Sequence, residues 1–217
     1  MKVMVLGGNG FIGRAVCRAA VERGHEVAAL ARSGAPRGEA AWIGAVEWVV
    51  ADALDPGAWS RHLAGCDAVV HCVGIIAENR EHDLTFERVN GDSAVVAVRE
   101  AERAGVGAFV FFSAAAKPPL VPAAYLAAKR RAEAAILAAR PRPVVFRPGF
   151  VYGPGRPITY PAAALVRLGM LLPGLGRLAR RARPIHVAAA ARAALRAAAD
   201  PAVRGVQDAD AVVRLGS

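Results

Sequence analysis

The sequence predicts an α/β fold, a doubly wound parallel sheet with a small C-terminal lobe. Three observations carry this. Short apolar runs alternate with amphipathic stretches from the start to Arg147. The runs, VMVL and FVFF among them, are apolar at successive positions, as strands covered on both faces require. A glycine-rich turn, GGNGFIG, joins the first run directly to the first amphipathic stretch.

The predicted strands are Val3–Leu6, Glu26–Leu30, Val46–Val50, Ala68–Cys72, Ala108–Phe112 and Pro143–Arg147. Between them, 3.6-residue periodicity predicts helices at Ile12–Arg23, Pro56–Leu63, Leu84–Ala104 and Ala123–Ala139, with Gly24, Gly105 and Pro141 marking ends. After Arg147 the alternation stops. Pro148, Pro154, Pro157, Pro161 and Pro173 divide the next stretch and forbid one long helix. A final helix, Ile185–Ala199, and a short strand near Val212–Leu215 are expected to close the chain. The reading is one domain over residues 1–217, with a nucleotide-binding core to 147 and the lobe over 148–217.

Composition narrows the class. Hydrophobic residues make up 55% of the 217 residues, which argues against disorder, and fifty of them are alanine. Of 28 basic residues only Lys2, Lys117 and Lys129 are lysine. With the alanine excess, this reads as GC-rich coding in a bacterium. Cys17, Cys66 and Cys72 have no metal-ligand spacing and are expected as buried thiols, so neither a zinc site nor a disulfide framework is predicted. MKVMVLGG enters a strand at once, without the form of a signal peptide, and no apolar run reaches about 18 residues. A cytoplasmic protein is expected, with any membrane contact peripheral.

The glycine turn has physical content. After a strand and opening a helix, Gly7 permits the tight turn, Gly10 lets a pyrophosphate approach the backbone, and Gly13 lets helix and strand pack closely. Asn9, Phe11 and Ile12 complete the turn. Phosphates would lie at the helix N-terminus, where free N–H groups and the dipole favour an anion. The second strand runs into Ala31-Arg32-Ser33 with no acid. An Asp or Glu there would hold both ribose hydroxyls, whereas Arg32 accommodates a 2′-phosphate, so NADP(H) is expected over NAD(H). Arg14 reads either as an assistant or as a solvated first-turn residue. Tyr125 and Lys129 stand four apart on one helix face, and a nearby cation stabilises a phenolate.

The Gly-x-x-Gly-x-x-Gly turn, followed by Tyr-x-x-x-Lys about a dozen residues past the fifth strand, resembles the extended and atypical short-chain dehydrogenase/reductases. These are Rossmann-like and include the NAD-dependent epimerase/dehydratase type. Across GGNGFIG, ARSGAP, VEWVVADALDP, VVHCVGIIAEN, FSAAAKPPLVPAAYLAAKRRAEAAI and RPGFVYG, the chain is similar to their coenzyme Q biosynthesis group and to the NADPH-binding subunit of respiratory complex I. The resemblance implies that Asp52 and Ala53 meet the adenine, that Cys72, Val73 and Gly74 lie beneath the ribose, and that Pro148, Gly149 and Phe150 lie beside the nicotinamide. It further implies that Lys129 holds the ribose and lowers the pKa of Tyr125, the proton donor or acceptor. The superfamily's catalytic hydroxyl falls at Ala115, leaving Ser113 as an auxiliary. Asn90 has two readings, a surface residue or the superfamily's helix asparagine on the cofactor. His186 is expected to pack, not to catalyse. The resemblance implies hydride exchange with a carbonyl or quinone-type substrate, or a non-catalytic NADPH-binding scaffold for a membrane-associated complex.

Charge is uneven. Residues 134–199 hold eleven Arg and no Asp or Glu. Leucines and valines at 165–178 lie beside Arg177, Arg180, Arg181 and Arg183, which suits either an anionic bilayer surface or a packed helix pair with solvated arginines. Sparse aromatics and the lack of a helix-turn-helix or RNA-binding motif argue against nucleic acid. Long helices before the fifth and sixth strands are a common dimer surface in the superfamily, so a homodimer is also expected.

Overall fold

The computed structural model describes residues 1–117, 121–171 and 183–217. Seven strands form one parallel sheet: β1 (Lys2–Leu6), β2 (Glu26–Leu30), β3 (Val46–Val49), β4 (Ala68–His71), β5 (Ala108–Phe112), β6 (Arg142–Phe146) and β9 (Gly205–Gln207). Their order is β3-β2-β1-β4-β5-β6-β9. The chain therefore winds outward from β1 in one direction and from β4 in the other. A crevice opens beyond the carboxyl ends of these two strands, where ligands bind in such sheets. A second, two-stranded parallel sheet pairs β7 (Phe150–Tyr152) with β8 (Pro184–His186).

The inner strands are apolar along most of their length because both faces are covered; Lys2, Glu26, Arg142 and Gln207 sit at strand ends, and Glu47 is exposed on the edge strand β3. Along β1, Val3 and Val5 enter one core while Met4 and Leu6 enter the other. The first core packs against α1 (Phe11–Val21) and α6 (Val187–Ala199), the second against α3 (Ser93–Arg103) and α4 (Ala123–Ala138). A one-turn helix, α2 (Ala41–Gly44), leads into β3.

Several expectations change. The helix over Pro56–Leu63 is two 3₁₀ turns, Pro56–Ala58 and Ser60–Leu63, because Trp59 between them is driven fully into the core. The helix over Leu84–Ala104 begins as a π-helical segment, Glu87–Asp92, before α3. His186 does not open the last long helix from within. It belongs to β8, and its Nδ1 caps α6 by accepting the Ala188 N–H at 3.2 Å. The strand expected near Val212–Leu215 is a helix, α7 (Ala209–Gly216), capped by the Asp208 carboxylate, which accepts the Ala211 N–H at 2.8 Å. Ala209, Val212 and Gly216 share its buried face, a helical period that the local Val-Val pair obscured. The last sheet strand is Gly205–Gln207 instead. The C-terminal lobe thus consists of β7, β8 and α5 (Thr159–Leu171), and the rest of the tail returns to the main layers.

Gly7 takes a left-handed φ of 81°, and Gly13 lies so close beneath it that an added Cβ would fall 2.1 Å from the Gly7 carbonyl oxygen. This contact sets where α1 points. Gly13→Ala should therefore destabilise the protein by roughly 1–3 kcal/mol or more in urea denaturation.

Candidate active site

A cleft of about 660 Å³ lies beyond the carboxyl ends of β1, β2 and β4. Ten of the residues singled out in the sequence line it: Gly7, Asn9, Gly10, Arg32, Ser33, Asp52, Ala53, Cys72, Val73 and Gly74. The Gly7 and Gly8 amides both donate to the Leu30 carbonyl at 2.9 Å, tying the turn to β2. Asn9 spans the gap, its amide donating to Ser33 Oγ and the Gly34 carbonyl, each at 2.9 Å. Arg14 is engaged within the turn, its Nε donating to the Asn9 side chain at 2.8 Å. Helix α1 has no side-chain cap and no acid in its first turn, so its N-terminal N–H groups remain for an anion. Those observations fit a dinucleotide with its diphosphate over Gly10.

The other predicted cofactor residues lie behind or beside the cleft. Phe11, Ile12 and Gly13 form the first turn of α1, and the Phe11 ring carries the Arg156 guanidinium 4.8 Å from its centroid. Asn90 is fully buried, which removes the surface reading. Its side chain accepts from the Ile75 N–H at 2.7 Å and donates to the Ile75 carbonyl at 2.9 Å, clamping the loop after β4. A Cβ on Gly74 would meet Asn90 Oδ1 at 3.1 Å and Lys129 Nζ at 3.3 Å, so both side chains floor that end of the cleft. The Pro148 carbonyl accepts the Ala115 N–H at 3.0 Å, and Gly149 and Phe150 lead into β7, away from the cleft lining.

Lys129 is buried, donating from Nζ to the Phe112 carbonyl at 2.9 Å. Burial pushes its pKa down to about 8, against the opposing pull of Cys72 and Glu133. Tyr125 lies one turn earlier, edge-on to Phe86 and packed with Ala114. The expected depression of its pKa is not what the structure shows. Burial raises the phenol above its usual value, and the cation that opposes the rise is Arg130, not Lys129.

Ser113 is turned inward. Its hydroxyl donates to the carboxylate of Glu133, only 2% exposed, which also receives Arg130 and Arg147. Burial alone would raise the Glu133 pKa. Hydrogen bonds from Arg147 and Ser113 and the charge of Arg130 outweigh it, holding the carboxyl below its usual range. Arg130 also donates to the Ala114 carbonyl at 2.9 Å, beside the position where the superfamily's hydroxyl is replaced by Ala115. The sequence reading missed this cluster. Its signal was present, since Tyr125, Lys129 and Glu133 recur every four residues on α4.

Also missed were Leu54, Ile75, Leu84, Arg88, Val89 and Ser93, among others that line the cleft. Of these, Arg88 and Val89 reach the cleft from the π-helical segment, and Val89 is buried. Ser93 Oγ donates to the Val89 carbonyl at 2.6 Å and lies 3.2 Å from Nε2 of the fully buried His71. Because the Ser93 proton goes to Val89, His71 must carry its own proton on Nε2. Burial, reinforced by the Lys129 charge, lowers the His71 pKa to about 3, so the imidazole is neutral.

The fold and the Tyr-x-x-x-Lys helix beside a dinucleotide-sized cleft define a short-chain dehydrogenase/reductase. The profile of the NAD dependent epimerase/dehydratase family matches residues 3–205, and the chain belongs to that family. It is 39% identical over 156 residues to an uncharacterised chloroplast protein of Arabidopsis thaliana, covering 70% of this chain and 51% of that protein. It is 34% identical over 190 residues to the ceramide reductase of Caulobacter vibrioides, covering 87% of this chain and 58% of the reductase. The chain thus spans little more than half the length of these relatives. Among solved structures it resembles the Thermus thermophilus UDP-glucose 4-epimerase complex with NAD, with a TM-score of 0.69 and 20% identity, covering 99% of this chain and 81% of that one.

Two outcomes test the electrostatics. A buried lysine whose folded pKa is depressed leaves the native state with fewer protons than the unfolded chain between about pH 8 and 10.5, so native stability rises with pH across that window. Wild type should therefore gain up to about 3 kcal/mol over Lys129→Met between pH 7 and pH 10.5 in urea titrations. In a Tyr152→Phe, Tyr160→Phe background, ultraviolet titration reads Tyr125 alone. Adding Arg130→Gln should move its midpoint to higher pH.

Proposed function

We propose that the protein is an NADP(H)-dependent oxidoreductase that reduces a carbonyl or quinone-type substrate, with a place in quinone or respiratory metabolism. The observation that carries this reading is the convergence on one cleft of the uncapped α1 N-terminus, Arg32-Ser33, and the Gly74 loop floored by Lys129. Arg32 and Ser33 would hold the 2′-phosphate, since β2 ends without the carboxylate that two free ribose hydroxyls would call for. The α1 N–H groups would take the diphosphate, Asp52 and Ala53 the adenine edge, and Lys129 the nicotinamide ribose. When bound, the cofactor supplies the hydride. Tyr125 would give its phenolic proton to the substrate oxygen as the carbonyl carbon accepts that hydride, so the product is the alcohol. The raised pKa of Tyr125 suits this direction, because a group that stays protonated at neutral pH is a ready acid and a poor base. The Caulobacter relative is likewise named a reductase.

A second reading has its own observation. With Ala115 at the hydroxyl position and Ser113 committed to Glu133, the site lacks one donor used to polarise a carbonyl. The protein would then be an NADPH-binding scaffold without turnover.

Fluorescence titration with NADPH and NADH tests the cofactor assignment. NADPH should bind the more tightly, and Arg32→Asp should weaken it roughly ten- to a hundredfold while leaving NADH little changed. Equal affinities would overturn the preference. Tyr125→Phe should keep NADPH binding while lowering carbonyl reduction by about 10²–10⁴-fold. Full cellular function in that variant would favour the scaffold.

A further inference from the structure

The geometry points to the exposed face of α5 as a surface that docks in the plane of an anionic lipid bilayer. Among its described residues α5 buries only Ala163. Pro161, Ala164, Leu165 and Leu168 recur at helical spacing on its exposed side, with Leu165 71% and Leu168 59% accessible. Ile158, just before the helix, is 85% accessible. Apolar side chains grouped this way on a surface mark an interaction site more often than isolated ones do.

Charge selects the occupant. The helix lies within residues 134–199, which hold eleven Arg and no acid. Arg156 and Arg167 flank the stripe and are exposed, while Arg177, Arg180 and Arg181 of the sequence-predicted cluster lie outside the described residues. A second copy of this chain is disfavoured, because pairing the face with itself would bring Arg156 and Arg167 of both copies to one seam, with no acid on α5 to offset them. A bilayer with anionic headgroups takes apolar insertion and cations at once. Tyr160, half exposed beside the stripe, has the amphipathic ring that sits at that boundary. With thirteen residues, α5 is about 20 Å long, short of the ~30 Å hydrocarbon core, so it would lie along the surface. No helix among the described residues is long and apolar enough to cross a membrane. The inference is independent of the cofactor assignment, as none of these residues lines the cleft.

Co-sedimentation of the whole chain with vesicles of phosphatidylcholine alone, or mixed with phosphatidylglycerol, tests it. Binding to the mixed vesicles is expected, with little to the neutral ones. Leu165→Glu and Leu168→Glu should each weaken it at least about tenfold. Retained NADPH binding, or an unchanged circular dichroism spectrum if the wild type binds no NADPH, shows the variants are folded. Three results would overturn the proposal. The first is no vesicle binding. The second is binding that salt abolishes but neither leucine substitution changes, which is adsorption by charge alone. The third is a wild-type dimer that Leu165→Glu converts to monomer, which would make a second copy the occupant.

Discussion

The contact between Gly13 and the Gly7 carbonyl is the constraint from which the cleft follows. No side chain fits there, so α1 can press against the turn after β1 and present its uncapped N-terminus to the crevice between β1 and β4. The same approach puts Val16 and Cys17 into the core under the sheet and leaves Asn9 at the rim to hold Ser33 and Gly34. The Gly10 end of the cleft is thus made of backbone, and its precision comes from packing.

The opposite end is made of buried charge. Lys129 and Glu133, one turn apart on α4, are both withdrawn from water, and each is satisfied by the carboxyl ends of the strands it meets. Lys129 donates to Phe112 at the end of β5. Glu133 gathers Ser113, Arg130 and Arg147, joining the segments that follow β5 and β6. A buried carboxylate with two guanidinium partners is costly to disturb, because removing either side leaves an uncompensated charge. The arrangement ties Ser113 and Ala114 to α4 and consumes the Ser113 hydroxyl. It also places Arg130, not Lys129, as the cation acting on the phenol.

The sequence pattern alone made the sheet, the glycine turn and most of the cleft legible, because each rests on local requirements. Strands covered on both faces must be apolar over most of their length, a tight turn under a helix needs glycine, and a helix face repeats every three or four residues. Where distant segments compete, local pattern misleads. Trp59 and Leu63 are claimed by the core and break a predicted helix into two turns. Val212 and Val213 look like a strand until α6 offers a helical face to pack on. Asn90 looked equally suited to a surface, but the loop after β4 needs its amide inside.

The sequence by itself determined the fold class, the glycine turn and the placing of Tyr125 and Lys129 on one helix face, since all depend on residues close along the chain. Only the tertiary structure decided the protonation states and partners of the buried groups. Ser113 turned toward Glu133, Tyr125 rose under burial with Arg130 opposing it, and His71 became neutral between Ser93 and the Phe109 and Phe111 rings. The reason is physical. A pKa or a hydrogen-bond partner depends on what surrounds a group in space, and those neighbours come from strands and helices far apart in the sequence.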